Sequence, residues 1–130
     1  MMSIAPLALT TALAVTCLSG CASSDTERLR VETTAFIHAV GQRDGARACG
    51  YLLPQAARNL ESSGSTCAEE ILKLDLTQGE VGRVERWGDN VRLHVGDQHV
   101  FLSRWGKTWR VAAAGCKPRP HQPDDCEVEA

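Results

Sequence analysis

The first 24 residues of the chain contain no charged side chain, whereas every Lys, Arg, Asp and Glu lies from Asp25 onward. So sharp a boundary indicates two segments with different fates. The uncharged segment includes an apolar stretch at residues 4–15, which has the length of the hydrophobic region of a signal peptide. A membrane-spanning helix needs about 20 apolar residues, so this stretch is too short to span a bilayer.

The uncharged segment ends on a cysteine that follows an apolar residue and two small ones, Leu18, Ser19 and Gly20. This order resembles the lipobox of bacterial lipoproteins, in which the cysteine thiol receives a diacylglycerol and a signal peptidase cuts directly before it. The resemblance implies a signal peptide over residues 1–20 and a lipid anchor on Cys21, which would hold the domain at the outer side of the cell membrane. Residues 1–3 lack the Lys or Arg that signal peptides usually carry. The alternatives are an ordinary secretory signal cleaved near Ala22, or an N-terminal helix buried in the domain.

An excess of basic residues is also missing, since 14 Lys and Arg stand against 16 Asp and Glu. Nucleic-acid-binding domains normally carry a strongly basic face, so we expect no nucleic-acid partner. The basic residues are mostly Arg, scattered among acidic residues as on an ordinary solvated surface. The roughly 110 residues that follow Cys21 are enough for one domain.

Lipidation of Cys21 and removal of Cys17 with the signal peptide leave an even set of cysteines: Cys49, Cys67, Cys116 and Cys126. Outside the cytoplasm such a set indicates disulfides, and four cysteines allow three pairings. We favour Cys49–Cys67 and Cys116–Cys126, because the members of each pair are close in sequence and bracket an expected turn. Zinc bound through His121 is the alternative, but C-x4-H-x4-C is not a standard zinc spacing. We therefore expect no metal and no other cofactor.

The first half of the domain predicts helices. Ser24 and Glu27 have the spacing of a capping box. An apolar stripe at helical spacing follows and ends before Gly41; it consists of Leu29, Thr33, Phe36, Ile37 and Val40. A second helix is expected at 44–53, with Ala46, Cys49 and Leu53 inward, and a third at 54–61. Thr66 and Glu69 form another capping box before a short helix that buries Ile71.

The second half predicts an antiparallel meander of four strands, at 81–87, 91–95, 99–105 and 108–113. Gly-containing turns separate these strands, and connections that short cannot join parallel strands. We expect Phe101 and Trp105 on one face of the third strand, and Trp109, Val111 and Ala113 on one face of the fourth. The residues after Gly115 are rich in Pro and charge, which predicts an irregular tail over 116–130 held by the Cys116–Cys126 bridge.

The order of these elements, together with the ending RWGKTWRV at residues 104–111, resembles the NTF2-like, cone-shaped superfamily. The C-terminal sequence AAGC…CEVE, at residues 113–116 and 126–129, also resembles small lipoproteins of actinobacteria. The resemblance implies an α+β domain over residues 21–115, in which N-terminal helices pack on a curved four-stranded antiparallel sheet. Domains of this superfamily often enclose a pocket between helices and sheet. Their functions include catalysis, ligand binding and dimerisation, so the fold by itself implies no reaction.

Catalytic signatures are missing as well. There is no G-x-S-x-G nucleophile motif, phosphate-binding loop or dinucleotide fingerprint. His38 lies off the apolar stripe of the first helix and is expected at the surface. His94, His99 and Arg110 are the candidates for a pocket inside the cone, where His99 could meet Glu85 or Asp97. For each histidine, packing or solvation explains the position better than catalysis does, so we expect no catalytic residue.

These observations favour a non-enzymatic lipoprotein that binds a small ligand or another envelope protein. One alternative is a small isomerase or hydrolase that uses a histidine in the cone pocket. The other is a structural module that dimerises through a sheet face carrying Trp105 and Trp109.

Overall fold

The structure is a computed structural model that describes residues 20–61 and 64–130, with side chains from Ser24 onward. In this part of the chain four helices precede six strands, so the predicted α+β order is confirmed. The expected signal peptide lies outside the described residues except for Gly20. Among the residues described, no helix combines the length and apolar character that crossing a membrane requires.

Helix α1 (Gly20–Gly41) packs its apolar stripe into the core as predicted. Leu29, Thr33 and Phe36 are almost completely buried, and the helix ends at Gly41. The predicted start is wrong, because the helix begins before Ser24 and includes Cys21 in its first turn. No Pro or turn-forming pair separates these residues from the stripe, so nothing in the sequence stops the helix from extending upstream.

Helix α2 (Gly45–Gly50) is shorter than predicted. Its N-cap is Asp44, whose side chain accepts a hydrogen bond from the Arg47 amide. Pro54 disfavours helical backbone in the residue before it, and Leu53 is extended with φ −57° and ψ 143°. The chain therefore leaves the helix at Tyr51 and pairs with the sheet instead. Ala46, expected to point inward, is exposed.

Two further short helices complete the helical half. Helix α3 (Pro54–Leu60) begins at its proline, as predicted. Helix α4 (Cys67–Ile71) is capped by Thr66, whose hydroxyl accepts from the Glu69 amide at 3.2 Å, and Ile71 is fully buried. The Cys49–Cys67 disulfide joins α2 to α4, and the Cys116–Cys126 disulfide is formed as well, so both predicted pairings are confirmed.

The sheet is an antiparallel meander in the order β1-β2-β3-β4-β5, with β6 paired to β4. Its strands are β1 (Val81–Trp87), β2 (Asn90–Val95), β3 (Gln98–Trp105), β4 (Thr108–Arg119), β5 (Gln122–Asp125) and β6 (Val128–Glu129). Gly88, Gly96 and Gly106 open the first three turns with φ of 62°, 59° and 60°. A glycine with positive φ at this position is typical of type II′ hairpins, which hold the two flanking strands in register.

The tail predicted to be irregular is part of the sheet, so the prediction of four strands was wrong. β4 continues to Arg119, and β5 and β6 return along it. A left-handed residue at His121, with φ 56°, turns the hairpin, and the Cys116–Cys126 bridge holds its two arms together. Proline is tolerated in such outer strands because their amides need no partner.

One face of the sheet, called here the inner face, packs against the helices. Its buried residues are Val91, Leu93, Val95, Val100, Leu102, Trp109, Val111 and Ala114. The register shift between β3 and β4 places Phe101 opposite Ala113 and Leu102 opposite Val111, so one extra residue bulges from β4. The bulge reverses the alternation, which is why Ala114 rather than Ala113 reaches the core.

Candidate functional site

Side chains fill most of the space between the helices and the inner face. A void between Phe36, Ile37, Val95 and Val100 measures about 10 Å³, and a cleft of about 210 Å³ between α1, the end of α2 and β4 is lined by Glu32, Gly50, Tyr51, Thr108, Trp109 and Arg110. A single water needs at least about 10–15 Å³ measured in this way. The void is therefore no larger than a single water, and neither the void nor the cleft is lined by His94 or His99.

His94 and His99 lie on the opposite side of the sheet, called here the outer face, which none of the described helices covers. Counting from the turns gives the positions: Glu85 lies opposite Arg92, and His94 lies opposite His99. Partners in an antiparallel pair share a face, so these four side chains form a row across β1, β2 and β3. Together with Asp124 from β5 they are called here the histidine row.

The first half of the row is centred on Glu85. One carboxylate oxygen accepts from His94 Nε2 at 2.6 Å, and the other accepts from Arg92 Nη2 at 2.7 Å. Arg83 Nε lies 3.3 Å from the first oxygen. The hydrogen bond from Arg92, followed by that from His94, lowers the pKa of the Glu85 carboxyl from 4.5 to about 2. Glu85 therefore stays ionised throughout the range in which proteins function.

The second half of the row is less exposed. His99 donates from Nδ1 to Asp124 at 2.6 Å, and its side chain is 9% exposed. Asp124 stands two strands away from β3, which would be about 10 Å in a flat sheet. The β4–β5 hairpin must therefore fold over the outer face and cover His99.

The two imidazoles meet in the middle of the row. Their ring centroids are 4.4 Å apart with an interplanar angle of 75°, and the His99 ring also packs edge-on against Phe101. Each histidine donates one ring N–H to a carboxylate, an arrangement that fixes the tautomer and the ring orientation. The other nitrogen of each ring makes no hydrogen bond in the described part of the chain.

The arrangement orients two imidazoles but supplies little else for catalysis. No hydroxyl or thiol of the described residues forms a hydrogen bond with either ring, and all four cysteines after Cys21 are in disulfides. Groups of three or more His, Cys, Asp or Glu that could hold a metal ion do not occur within residues 24–61 and 64–130.

The candidate residues are only partly brought together. His94 and His99 are in contact, but Arg110 lies opposite Ser103, four residues along β3 from His99. That separation is about 13 Å along the strand, and the Arg110 guanidinium donates instead to the Gly50 carbonyl. The carboxylates also differ from those considered, because His99 meets Asp124, whereas Glu85 meets His94.

The predicted pairing of Trp105 and Trp109 on one sheet face is wrong. Trp109 lies on the inner face and is 7% exposed, beneath the guanidinium groups of Arg86 and Arg104 at 5.2 and 4.6 Å. Trp105 points to the outer side and is 53% exposed. In the β3–β4 pairing, Trp105 lies opposite Thr108, and Trp109 lies opposite Arg104. Arg104 and Trp105 are consecutive residues of a strand and point to opposite faces, so the two tryptophans do as well.

Comparison with known proteins does not identify a family for the chain. No family model, curated protein or solved structure matches the chain.

Proposed function

We propose that the chain is a lipid-anchored binding module, displayed outside the cytoplasm at the cell membrane, which takes up a ligand or an envelope protein on the outer face of its sheet. The domain itself is proposed to be a filled variant of the NTF2-like fold. The observation that carries the proposal is the histidine row, an ordered polar and aromatic surface on the side of the sheet that faces away from the helices.

The location is supported by cysteine chemistry. The lipobox ends at Cys21, and the four later cysteines are paired in two disulfides. Disulfides persist in oxidising compartments and are rare in the cytosol. A diacylated cysteine carries two acyl chains, which is sufficient for stable anchoring.

The choice of surface follows from what the fold leaves available. Neither the void of about 10 Å³ nor the cleft of about 210 Å³ on the helix side is lined by His94 or His99, whereas the outer face offers Arg, His and aromatic side chains that are already held in place. Arg and aromatic residues are enriched in interface cores, and side chains fixed before binding lose less entropy on association. The enzymatic alternative requires His94 or His99 to line an enclosed pocket between the helices and the sheet, and neither side chain lies on that side of the sheet.

Site-specific photocrosslinking in the native membrane tests the proposal. A benzoylphenylalanine at Phe101 replaces one aromatic residue with another in the middle of the outer face. The same group at Glu69, exposed on α4, serves as the matched control on the helical side. We expect a discrete crosslinked product, a small molecule or an envelope protein, from position 101 and none from position 69. Equal products from both positions, or none from position 101, would reject the outer face as the binding surface.

A further inference from the structure

We infer that one end of the sheet lies against the surface of the bilayer in which Cys21 is anchored. This end, called here the hairpin tip, consists of the β1–β2 and β3–β4 turns with Trp87 and Trp105 beside them. The inference rests on the proposed lipidation and adds to it an orientation of the domain and a second membrane contact.

The direction of α1 places the anchor at the hairpin tip. Arg86, near the end of β1, forms an ion pair with Asp25 at 2.8 Å. Arg30, further along the helix, donates to the carbonyl of Val81 at the start of β1, also at 2.8 Å. Helix and strand therefore run antiparallel, and α1 begins where β1 ends.

The connection between anchor and tip is short and helical. Cys21 lies within α1, four residues before Asp25, which corresponds to about 6 Å along the helix axis. No flexible linker intervenes between the lipidated residue and the folded domain. The acyl chains must enter the bilayer directly beside Arg86 and Trp87, so the hairpin tip is the part of the domain nearest the membrane.

The side chains at this end suit a membrane interface. Of the described residues, three large hydrophobic side chains are exposed, and two of them are Trp87 at 50% and Trp105 at 53%. Tryptophan prefers the headgroup region, where its ring is partly apolar and its N–H remains hydrated. Neither ring is part of the hydrophobic core, because Trp109 occupies the inner face at this end of the sheet.

Charge favours a bilayer that contains anionic lipids. Arg86, Arg104 and Lys107 lie at the hairpin tip, with Asp25 and Asp89 as the acidic partners of the two arginines. Lys107 forms no ion pair within the described part of the chain and projects from the β3–β4 turn. A basic side chain near a negatively charged membrane surface contributes about 1 kcal/mol to binding.

Quenching by brominated lipids tests this orientation on the processed protein isolated from its own membrane. The protein is placed in vesicles of phosphatidylcholine and phosphatidylglycerol, with bromine near the top of the acyl chains or without bromine. We expect the bromine to quench Trp87 and Trp105 and not the buried Trp109. Tryptophan emission should therefore fall toward about a third of its value in vesicles without bromine, since one of the three tryptophans remains unquenched. In the Trp87→Phe/Trp105→Phe variant, the remaining emission should be insensitive to bromine.

A charge reversal provides the second readout. Lys107→Glu should reduce quenching in vesicles with phosphatidylglycerol but not in pure phosphatidylcholine. Lys117→Glu is the matched control, because Lys117 lies near the opposite end of β4. Equal effects of the two substitutions would contradict the role of charge at the hairpin tip.

A failure of the membrane orientation can be distinguished from a failure of the proposed lipid anchor. The intact mass of the same sample reports whether Cys21 carries a diacylglycerol. A lipidated protein whose tryptophans resist bromine would overturn the orientation and leave the proposed lipoprotein intact. Resistance to both bromine and aqueous acrylamide would mean that a second copy of the chain covers the tip, which also overturns the inference. A chain without lipid would remove the anchor and overturn both proposals.

Discussion

Removal of the Cys116–Cys126 disulfide should loosen the hairpin that covers the histidine row. The bridge closes a segment with a sequence separation of 10 residues, and on the chain-entropy model a loop of this size contributes about 3 kcal/mol. The double substitution Cys116→Ala/Cys126→Ala should therefore lower the free energy of unfolding by about 3 kcal/mol. With an m-value of about 2 kcal/mol/M, the urea midpoint falls by about 1.5 M.

The structural consequence should be local. Among the described strands, β5 pairs with β4 alone, through Lys117 opposite Asp125 and Arg119 opposite Gln122. Without the bridge, amide hydrogen exchange should accelerate in β5, and His99 should become more accessible as Asp124 moves away. Cys116 is fully buried, so the loss of its sulfur also lowers the free energy of unfolding. This loss of packing should not change which strand exchanges its amides faster.

The other disulfide supplies the control. Cys49–Cys67 has a sequence separation of 18 residues, so Cys49→Ala/Cys67→Ala should also cost about 3 kcal/mol, while β5 exchange remains at the rate of the unmodified protein. A loss below about 1 kcal/mol for the Cys116–Cys126 variant, or equal acceleration of β5 in both variants, would refute this account of the hairpin.

Three further predictions concern the site and its support. Folding lowers the pKa of Glu85 to about 2, so its ionised form stabilises the protein above about pH 4.5, and this contribution is lost as the pH falls toward 2. Glu85→Gln should therefore be less stable than the parent near neutral pH, with the difference vanishing near pH 2; urea midpoints that differ equally at all pH values would contradict it. A Cβ on Gly45 would lie 2.0 Å from a carbonyl oxygen of α4, whereas one on Gly50 would meet nothing within 4 Å. Gly45→Ala should cost about 1–3 kcal/mol, and Gly50→Ala should be neutral or stabilising in the same thermal unfolding assay; equal effects would refute the close helix contact. Long-range ¹H–¹⁵N spectra of the neutral rings should show His94 protonated on Nε2 and His99 on Nδ1, and the opposite tautomers would contradict the described hydrogen bonds.

Much of the fold follows from local sequence signals. The stripe from Leu29 to Phe36 has helical period, Thr66 and Pro54 mark helix starts, and Val91, Leu93 and Val95 alternate. Each of these signals arises from neighbours a few residues apart, which is why all of them are confirmed. The disulfide pairing was predictable for the same reason, since each cysteine bonds with its neighbour in sequence.

The errors occur where distant parts of the chain decide the structure. Helix α2 ends early because residues 51–53 pair with β4. Val111 donates to the Tyr51 carbonyl and accepts from the Leu53 amide, at 2.8 Å each. The tail becomes strand because β4 offers it an edge and the Cys116–Cys126 bridge holds it there. The bulge in β4 that turns Ala114 inward could not be predicted, because the residues around it are all small and show no alternation of polar and apolar side chains.

The histidine row could be predicted in part. Two-residue turns at Gly88 and Gly96 fix the register, and counting outward from them places Glu85 opposite Arg92 and His94 opposite His99. The contact between His99 and Asp124 could not be found in this way, because it depends on the hairpin folding over the sheet. The small size of the void beside Phe36 depends on how closely large side chains fill that part of the interior, which periodicity does not report.

The proposed lipid anchor on Cys21, which holds a disulfide-bonded domain outside the cytoplasm, underlies both the function and the membrane orientation. Native mass spectrometry of the protein, extracted mildly from its own membrane, tests it most directly because one spectrum reads the N-terminus, the lipid and the oxidation state. We expect a chain that begins at Cys21, carries a diacylglycerol and has Cys49, Cys67, Cys116 and Cys126 oxidised. An unlipidated chain that retains residues 1–20, or one with four free thiols after Cys21, would contradict it.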